Sequence, residues 1–226
     1  VSGRIALINQ RYGEDVAGGS ETYTRLLAQK LCQRYDVEIL TTCARDHMSW
    51  ENHYPPGPET VGGIAVRRFL TERTRDMKRF ERLSRLLGYP AIAPEDRQRE
   101  WIDEQGPYVP GLIRHIRDHR DDFDAFIFVT YLFYTTVYGI REAAGKTMLI
   151  PTAHDEPALG LSLYRDVFIT PKAIGYLSVE EMAMVHGRFD NGHIPHTVLG
   201  CGIDVPQGEK AGAAVKALLG TPYIAY

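Results

Sequence analysis

The feature that most limits how this chain can fold lies within residues 4–42. A short apolar run, Arg4-Ile-Ala-Leu-Ile-Asn9, leads into a polar loop that ends in Gly18-Gly19-Ser20-Glu21. Tyr23, Leu26, Leu27 and Leu31 then recur at helical spacing, and a second apolar run follows at Asp36–Thr42. The runs predict buried strands, and the spacing predicts an amphipathic helix of about three turns between them. Ser20 is the expected N-cap, and Glu21 in the first turn suits the positive end of the helix dipole. Strand, glycine loop, helix, strand is the opening βαβ unit of an α/β fold. The loop is neither Gly-x-Gly-x-x-Gly nor Gly-x-x-x-x-Gly-Lys-Ser/Thr, which disfavours a dehydrogenase or a P-loop enzyme.

The rest of the chain continues the alternation. Further strands are expected at 62–69, 124–130, 146–151, 173–177 and 196–199. The run at 124–130 is apolar throughout, as a central parallel strand covered on both faces must be. Residues 44–58 read as a loop, and 71–110 as a helical excursion broken at Gly88, Pro90 and Pro94. Pro107 suits the first turn of a helix carrying Val109, Leu112, Ile113 and Ile116 on one face. Ser178-Val-Glu-Glu181 has the form of a capping box that opens another helix. A short helix over 209–219 and strand chemistry over 221–226 close the chain. The expected fold class is α/β, a doubly wound, mostly parallel, Rossmann-like sheet.

Composition excludes several classes. A formal net charge of −3 over 226 residues argues against nucleic-acid binding as the main task. Cys32, Cys43 and Cys201 are odd in number and widely spaced, which fits neither a disulfide framework nor a zinc ribbon. No apolar run approaches the roughly 20 residues of a membrane span, and with Arg4 entering the first strand directly no leader is expected. A cytoplasmic protein is expected. Residues 73–87 are basic, with Met77, Phe80, Leu83, Leu86 and Leu87 on one face, a pattern that suits peripheral contact with a membrane or an anionic acceptor. Glu72, Asp76 and Glu81 dilute it, and a helix with a solvated charged face is the competing reading. His115 and His119 stand four apart, but no third ligand accompanies them, so no metal and no cofactor are expected.

Several landmarks together resemble one family. They are the Gly18-Gly19-Ser20-Glu21 loop, His154-Asp155-Glu156 just past a central strand, Tyr176-Leu-Ser-Val-Glu-Glu181, and Gly200-Cys-Gly-Ile-Asp204. In order and spacing they resemble the amino-terminal, acceptor-side domain of retaining GT-B glycosyltransferases of the family 4 type, a group that includes sucrose synthase and bacterial mannosyl- and glucosyltransferases. The resemblance covers residues 4–205. It implies one half of a GT-B fold in residues 1–205. Residues 206–226 would be the linker and the start of a donor-binding domain that this sequence lacks. It implies transfer of a sugar from a nucleotide-sugar to a sugar or lipid-linked acceptor, with an isolated chain that is inactive.

The resemblance also singles out residues. Gly18, Gly19 and Ser20 would bring backbone amides and a helix N-terminus to the donor diphosphate or the acceptor. His154 would meet the donor sugar across the cleft, where a neutral imidazole donates or accepts a hydrogen bond. Asp155 and Glu156 would order that loop or bind acceptor hydroxyls, and neither is assigned as a nucleophile. Glu21, Thr130 and Tyr131 point toward the expected cleft, although Glu21 serves the helix dipole equally well. Tyr131 also opens an aromatic cluster with Phe133, Tyr134 and Tyr138 that suits helix packing. Two other functions compete: a non-catalytic sugar- or nucleotide-binding subunit that pairs with a separate chain, and a hydrolase using His154 and Asp155. The second lacks a nucleophile elbow.

Overall fold

A strand covered on both faces must be apolar at every position, and the chain's apolar runs become such strands. The computed structural model describes residues 3–88 and 93–202. In chain order the elements are β1 (Arg4–Ile8), α1 (Gly19–Leu31), β2 (Asp36–Thr42), β3 (Gly57–Val61), β4 (Ile64–Phe69), α2 (Met77–Leu86), α3 (Glu95–Gln105) and α4 (Pro110–Asp118). They continue with β5 (Ala125–Val129), α5 (Tyr134–Glu142), β6 (Thr147–Ile150), α6 (Tyr164–Ile169), β7 (Ala173–Tyr176), α7 (Val179–Phe189) and β8 (His196–Val198). The eight strands form one sheet in the order β3-β4-β2-β1-β5-β6-β7-β8. Every pairing is parallel except β3 with β4. This is the doubly wound α/β class expected from sequence.

The pleat sorts the core into two layers. Ile5, Leu7, Ile39, Ile127, Val129 and Ile150 face α1, whose Tyr23, Leu27, Ala28 and Leu31 cover them. Their alternating neighbours Ala6, Ile8, Phe126, Phe128 and Leu149 face the opposite way, against apolar residues of α2 to α7. Phe126 and Phe128 have no exposed surface, so truncating either to alanine removes roughly 3–5 kcal/mol.

Three expectations need correction. Residues 57–61, of which 57 and 58 are expected in a loop and 59–61 in no element, form the antiparallel edge strand β3, and Gly62 and Gly63, placed inside a strand, are instead the turn of its hairpin with β4. Their φ values of 56° and 80° suit the tight primed turn that joins two twisted strands. Pro58 is tolerated because an edge strand has one unpaired side. Helix α1 begins two residues earlier than expected: Gly18 is its N-cap, and Ser20 lies inside its first turn. Helix α4 begins at Pro110 behind Val109, not at Pro107.

Residues 73–87 are partly absorbed by the core. Leu83 and Leu87 are buried in the core, and Phe80 stacks on Trp101 of α3 with ring centroids 5.8 Å apart. Much of the apolar stripe is therefore spent inside the fold, while Arg79 pairs with Glu100 and Glu104. Among the described residues no helix is long and apolar enough to cross a membrane. The expected boundary at 205/206, the 209–219 helix and the 221–226 strand lie outside the described residues.

Candidate functional site

The carboxyl ends of β1, β5, β6 and β7 open on one rim of the sheet. The chain runs from β1 to β2 on one side and later places β5 on the other, so the connections diverge between β1 and β5. Such a switch point leaves a crevice above the strand ends, where open α/β sheets bind ligands. The glycine loop leaves β1 and the His154 loop leaves β6, with β5 between them. Two strand spacings put those exits roughly 10 Å apart.

The glycine loop is stitched from beneath. Arg11 donates to Glu21 Oε1 from Nε at 2.9 Å and Nη2 at 2.5 Å, and Gln10 Nε2 adds a third bond to the same oxygen at 3.0 Å. Ser20 Oγ donates to Glu21 Oε2 at 2.9 Å. Asn9 Nδ2 donates to Thr24 Oγ1 at 2.6 Å, and Arg25 Nη1 holds the carbonyls of Gly13 and Val16 at 2.9 and 2.8 Å. Glu21 is only 2% exposed, so the expectation that it faces the cleft fails; its carboxylate is committed to Arg11. Gly18 must be glycine, because a Cβ there would collide with that carboxylate. Gly18 offers no side-chain acceptor, and the first amide bonded into the helix is that of Thr22, to Gly18 O at 2.9 Å. The amides of Gly19, Ser20 and Glu21 precede it, at the positive end of α1. A groove of about 570 Å³ lies alongside, lined by Glu14, Val16, Gly18, Gly19, Tyr23 and Cys201.

At the end of β5, Thr130 is buried and adopts φ 66°, a left-handed conformation that costs a β-branched residue roughly 1–3 kcal/mol. Its amide donates to Ile150 O at 2.8 Å, and its carbonyl accepts from Thr136 Oγ1 at 2.7 Å. Its own hydroxyl has no partner among the described residues. Thr152, at the end of β6, has φ 50°. Strain of this kind gathers where a chain must turn sharply at a functional rim. Tyr131, in contrast, does not line the cleft. Its ring is 1% exposed and packs on Tyr164 with centroids 4.8 Å apart, and its hydroxyl donates to Glu156 Oε1 at 2.7 Å. Burial first, and that bond second, hold its phenol far above the usual range.

The His154 loop is the open part of the rim. His154 and Asp155 are exposed, and Arg188 approaches Asp155 at 4.0 Å. Glu156 is occupied by Tyr131. A cavity of about 590 Å³ is lined by Thr152, Ala153, His154, Leu177, Ser178 and Glu181. Ser178 caps α7 as expected, accepting from the Glu181 amide at 3.1 Å. Two further residues were not singled out. Tyr23 lines the glycine-loop groove, and burial raises its phenol, with Cys201 and Glu181 pushing the same way. Glu181 is 7% exposed and lies at the His154 cavity; the capping-box pattern marked its position but not its reach.

His115 and His119 stack with ring centroids 4.0 Å apart, and His115 also packs on Phe69. Among the described residues no group of three or more His, Cys, Asp or Glu side chains is placed to hold a metal ion.

No family model matches the chain, and no curated protein sequence matches it. Twenty-one solved chains do. One is a trehalose-6-phosphate protein from E. coli, a GT-B glycosyltransferase, bound with UDP-2-fluoro glucose. It superposes with a TM-score of 0.54 at 14% sequence identity, over 96% of this chain and 54% of that one. The chain therefore spans about half the length of that structure, and at this identity the likeness concerns fold alone: a Rossmann-like sheet matching one half of a GT-B glycosyltransferase.

Proposed function

We propose that this chain is the acceptor-side half of a nucleotide-sugar-dependent glycosyltransferase of the retaining, family 4 type, whose donor-binding half lies in a second domain. One observation carries the reading. In a GT-B-like half-fold, a glycine loop with uncapped helix amides and an exposed histidine leave the same rim, one strand apart.

The chemistry follows from what the rim offers. Breaking the bond between sugar and diphosphate leaves negative charge on the phosphate. Uncapped amides at a helix N-terminus, oriented before the reaction begins, stabilise that charge without reorganising. His154 donates or accepts a hydrogen bond at a sugar hydroxyl near the reacting carbon. Asp155, exposed and 4.0 Å from Arg188, holds acceptor hydroxyls. No side chain is assigned as nucleophile; the departing phosphate assists attack on the face it leaves, which retains configuration.

The test is release of nucleoside diphosphate from UDP-, GDP- and ADP-sugars by the protein that carries this chain, with and without candidate sugar and lipid-linked acceptors. Acceptor-dependent release is expected, with kcat lowered about 100-fold or more in His154→Ala. Release that His154→Ala leaves untouched would sink the assignment. Tight nucleotide-sugar binding with no transfer by the complete protein would favour a non-catalytic binding subunit.

A further inference from the structure

The ladder between β6 and β7 is short. It pairs Met148 with Ala173 and Leu149 with Ile174, whereas β7 and β8 stay paired to Tyr176. Beyond Leu149 the exits of β6 and β7 part, and the His154 cavity opens between them. Glu181 reaches into that gap from the first turn of α7. Its Oε1 accepts from the Ala153 amide at 2.6 Å, and its Oε2 accepts from the Leu177 amide at 2.6 Å. In an ordinary capping box this glutamate turns back to the amide of the N-cap residue. Here it reaches one residue earlier, and across to another strand.

No Lys or Arg among the described residues pairs with this carboxylate, although it is nearly buried. Burial accordingly raises its pKa, opposed by the two amides and by the neighbouring His154. A nearly buried carboxylate without a cation is costly, and bonds to backbone amides together with the helix N-terminus are what offset the cost. Ala153 directly precedes His154 and follows Thr152, whose left-handed conformation sets the bend.

We propose that Glu181 is the positioning residue for His154: by bridging the amides of Ala153 and Leu177 across the gap between β6 and β7, it sets the direction in which the imidazole enters the crevice. The catalytic consequence rests on the sugar-transfer reading; the clasp itself does not. A displacement of about 1 Å at a reacting group costs on the order of 100-fold in rate, so a tie one residue from His154 matters.

Amide hydrogen exchange and imidazole resonances of this chain, followed by NMR in wild type, Glu181→Ala and Glu181→Gln, test it. In Glu181→Ala the amides of Ala153 and Leu177 are expected to exchange about 10-fold faster or more, the His154 ring resonances to move, and the amides of Leu7 and Phe128 to stay protected. Glutamine keeps the shape but replaces one accepting oxygen with an NH2 group, so Glu181→Gln is expected to free one of the two amides only. It also serves if the alanine variant fails to fold. Unchanged protection at both amides, or lost protection with unmoved His154 resonances, would overturn the proposal. In the complete protein, kcat for nucleotide-sugar turnover is expected to fall with KM unchanged, and less in Glu181→Gln than in Glu181→Ala; equal kcat in all three would also overturn it. Absence of turnover in wild type counts against the sugar-transfer reading and not against the clasp, which the NMR measurements decide.

Discussion

The two loops on this rim of the sheet are built in opposite ways. Around the glycine loop most charged side chains are tied down: Arg11, Gln10 and Ser20 converge on Glu21, and Arg25 grips two carbonyls. What remains to meet a ligand is mainly backbone, with Glu14 and Tyr23 at the groove wall. Around the His154 loop the reverse holds. One buried carboxylate grips the backbone amides, and the side chains of His154 and Asp155 stay exposed, with Arg188 4.0 Å from Asp155. A rigid array of amides suits a diphosphate, whose charge is large and whose geometry is fixed. Exposed side chains suit sugar hydroxyls, which differ from one ligand to the next. The first loop should therefore matter most to stability, the second most to chemistry.

Glu21→Ala strikes that contrast hardest. It strands the guanidinium of Arg11, 10% exposed, without its partner and is expected to cost roughly 3–5 kcal/mol, lowering Tm by about 10 °C in thermal denaturation. A loss below about 1 kcal/mol would mean that the stitching is ornamental. The two glycines separate next. Gly18→Ala drives a methyl group into the Glu21 carboxylate and is expected to cost about 1–3 kcal/mol. Gly19→Ala meets nothing within 4 Å and sits in the helix, so stability should hold or rise by up to about 1 kcal/mol. If Gly19→Ala nevertheless weakens nucleotide-sugar binding in calorimetry, its loss is specific to the ligand.

Two histidines sharpen the comparison further. Burial, then His119 and Arg67, push His115 down to about 4 from an ordinary value near 6.5. Between those values the unfolded chain binds the proton that the folded one refuses, so stability is complete above about 6.5 and falls as pH drops toward 4. Denaturant midpoints should show that acid loss in wild type and in His154→Ala, and a flatter profile in His115→Gln. The smallest effect belongs to His154 itself. Exposed as it is, its replacement by alanine should move stability by no more than about 0.5 kcal/mol.

Much of this architecture is legible in the residues. Strands β1, β5 and β6 announce themselves because a strand covered on both faces admits few polar side chains. Ser178 likewise marks the start of α7, since a hydroxyl just before the first turn has one obvious acceptor role. Strand β3 is hidden because an edge strand is only half covered, and Gly57-Pro58-Glu59 carries no apolar signature. Tyr131 reads the same whether it lines a cleft or fills a core; the approach of Tyr164 and Phe168, more than thirty residues later, decides it.

By itself, the order of residues determined the alternation of strands and helices, and with it the rim on which a glycine loop and His154 must emerge. Those are local matters of period, apolarity and turn chemistry. Only tertiary structure decided that Glu21 is sealed beneath Arg11 and that Glu181 spans the gap between β6 and β7. A carboxylate's role depends on which amide or guanidinium folding brings within hydrogen-bond reach, and neither Arg11, 10 residues from Glu21, nor Ala153, 28 residues from Glu181, stands at a spacing that periodicity or a cap would mark.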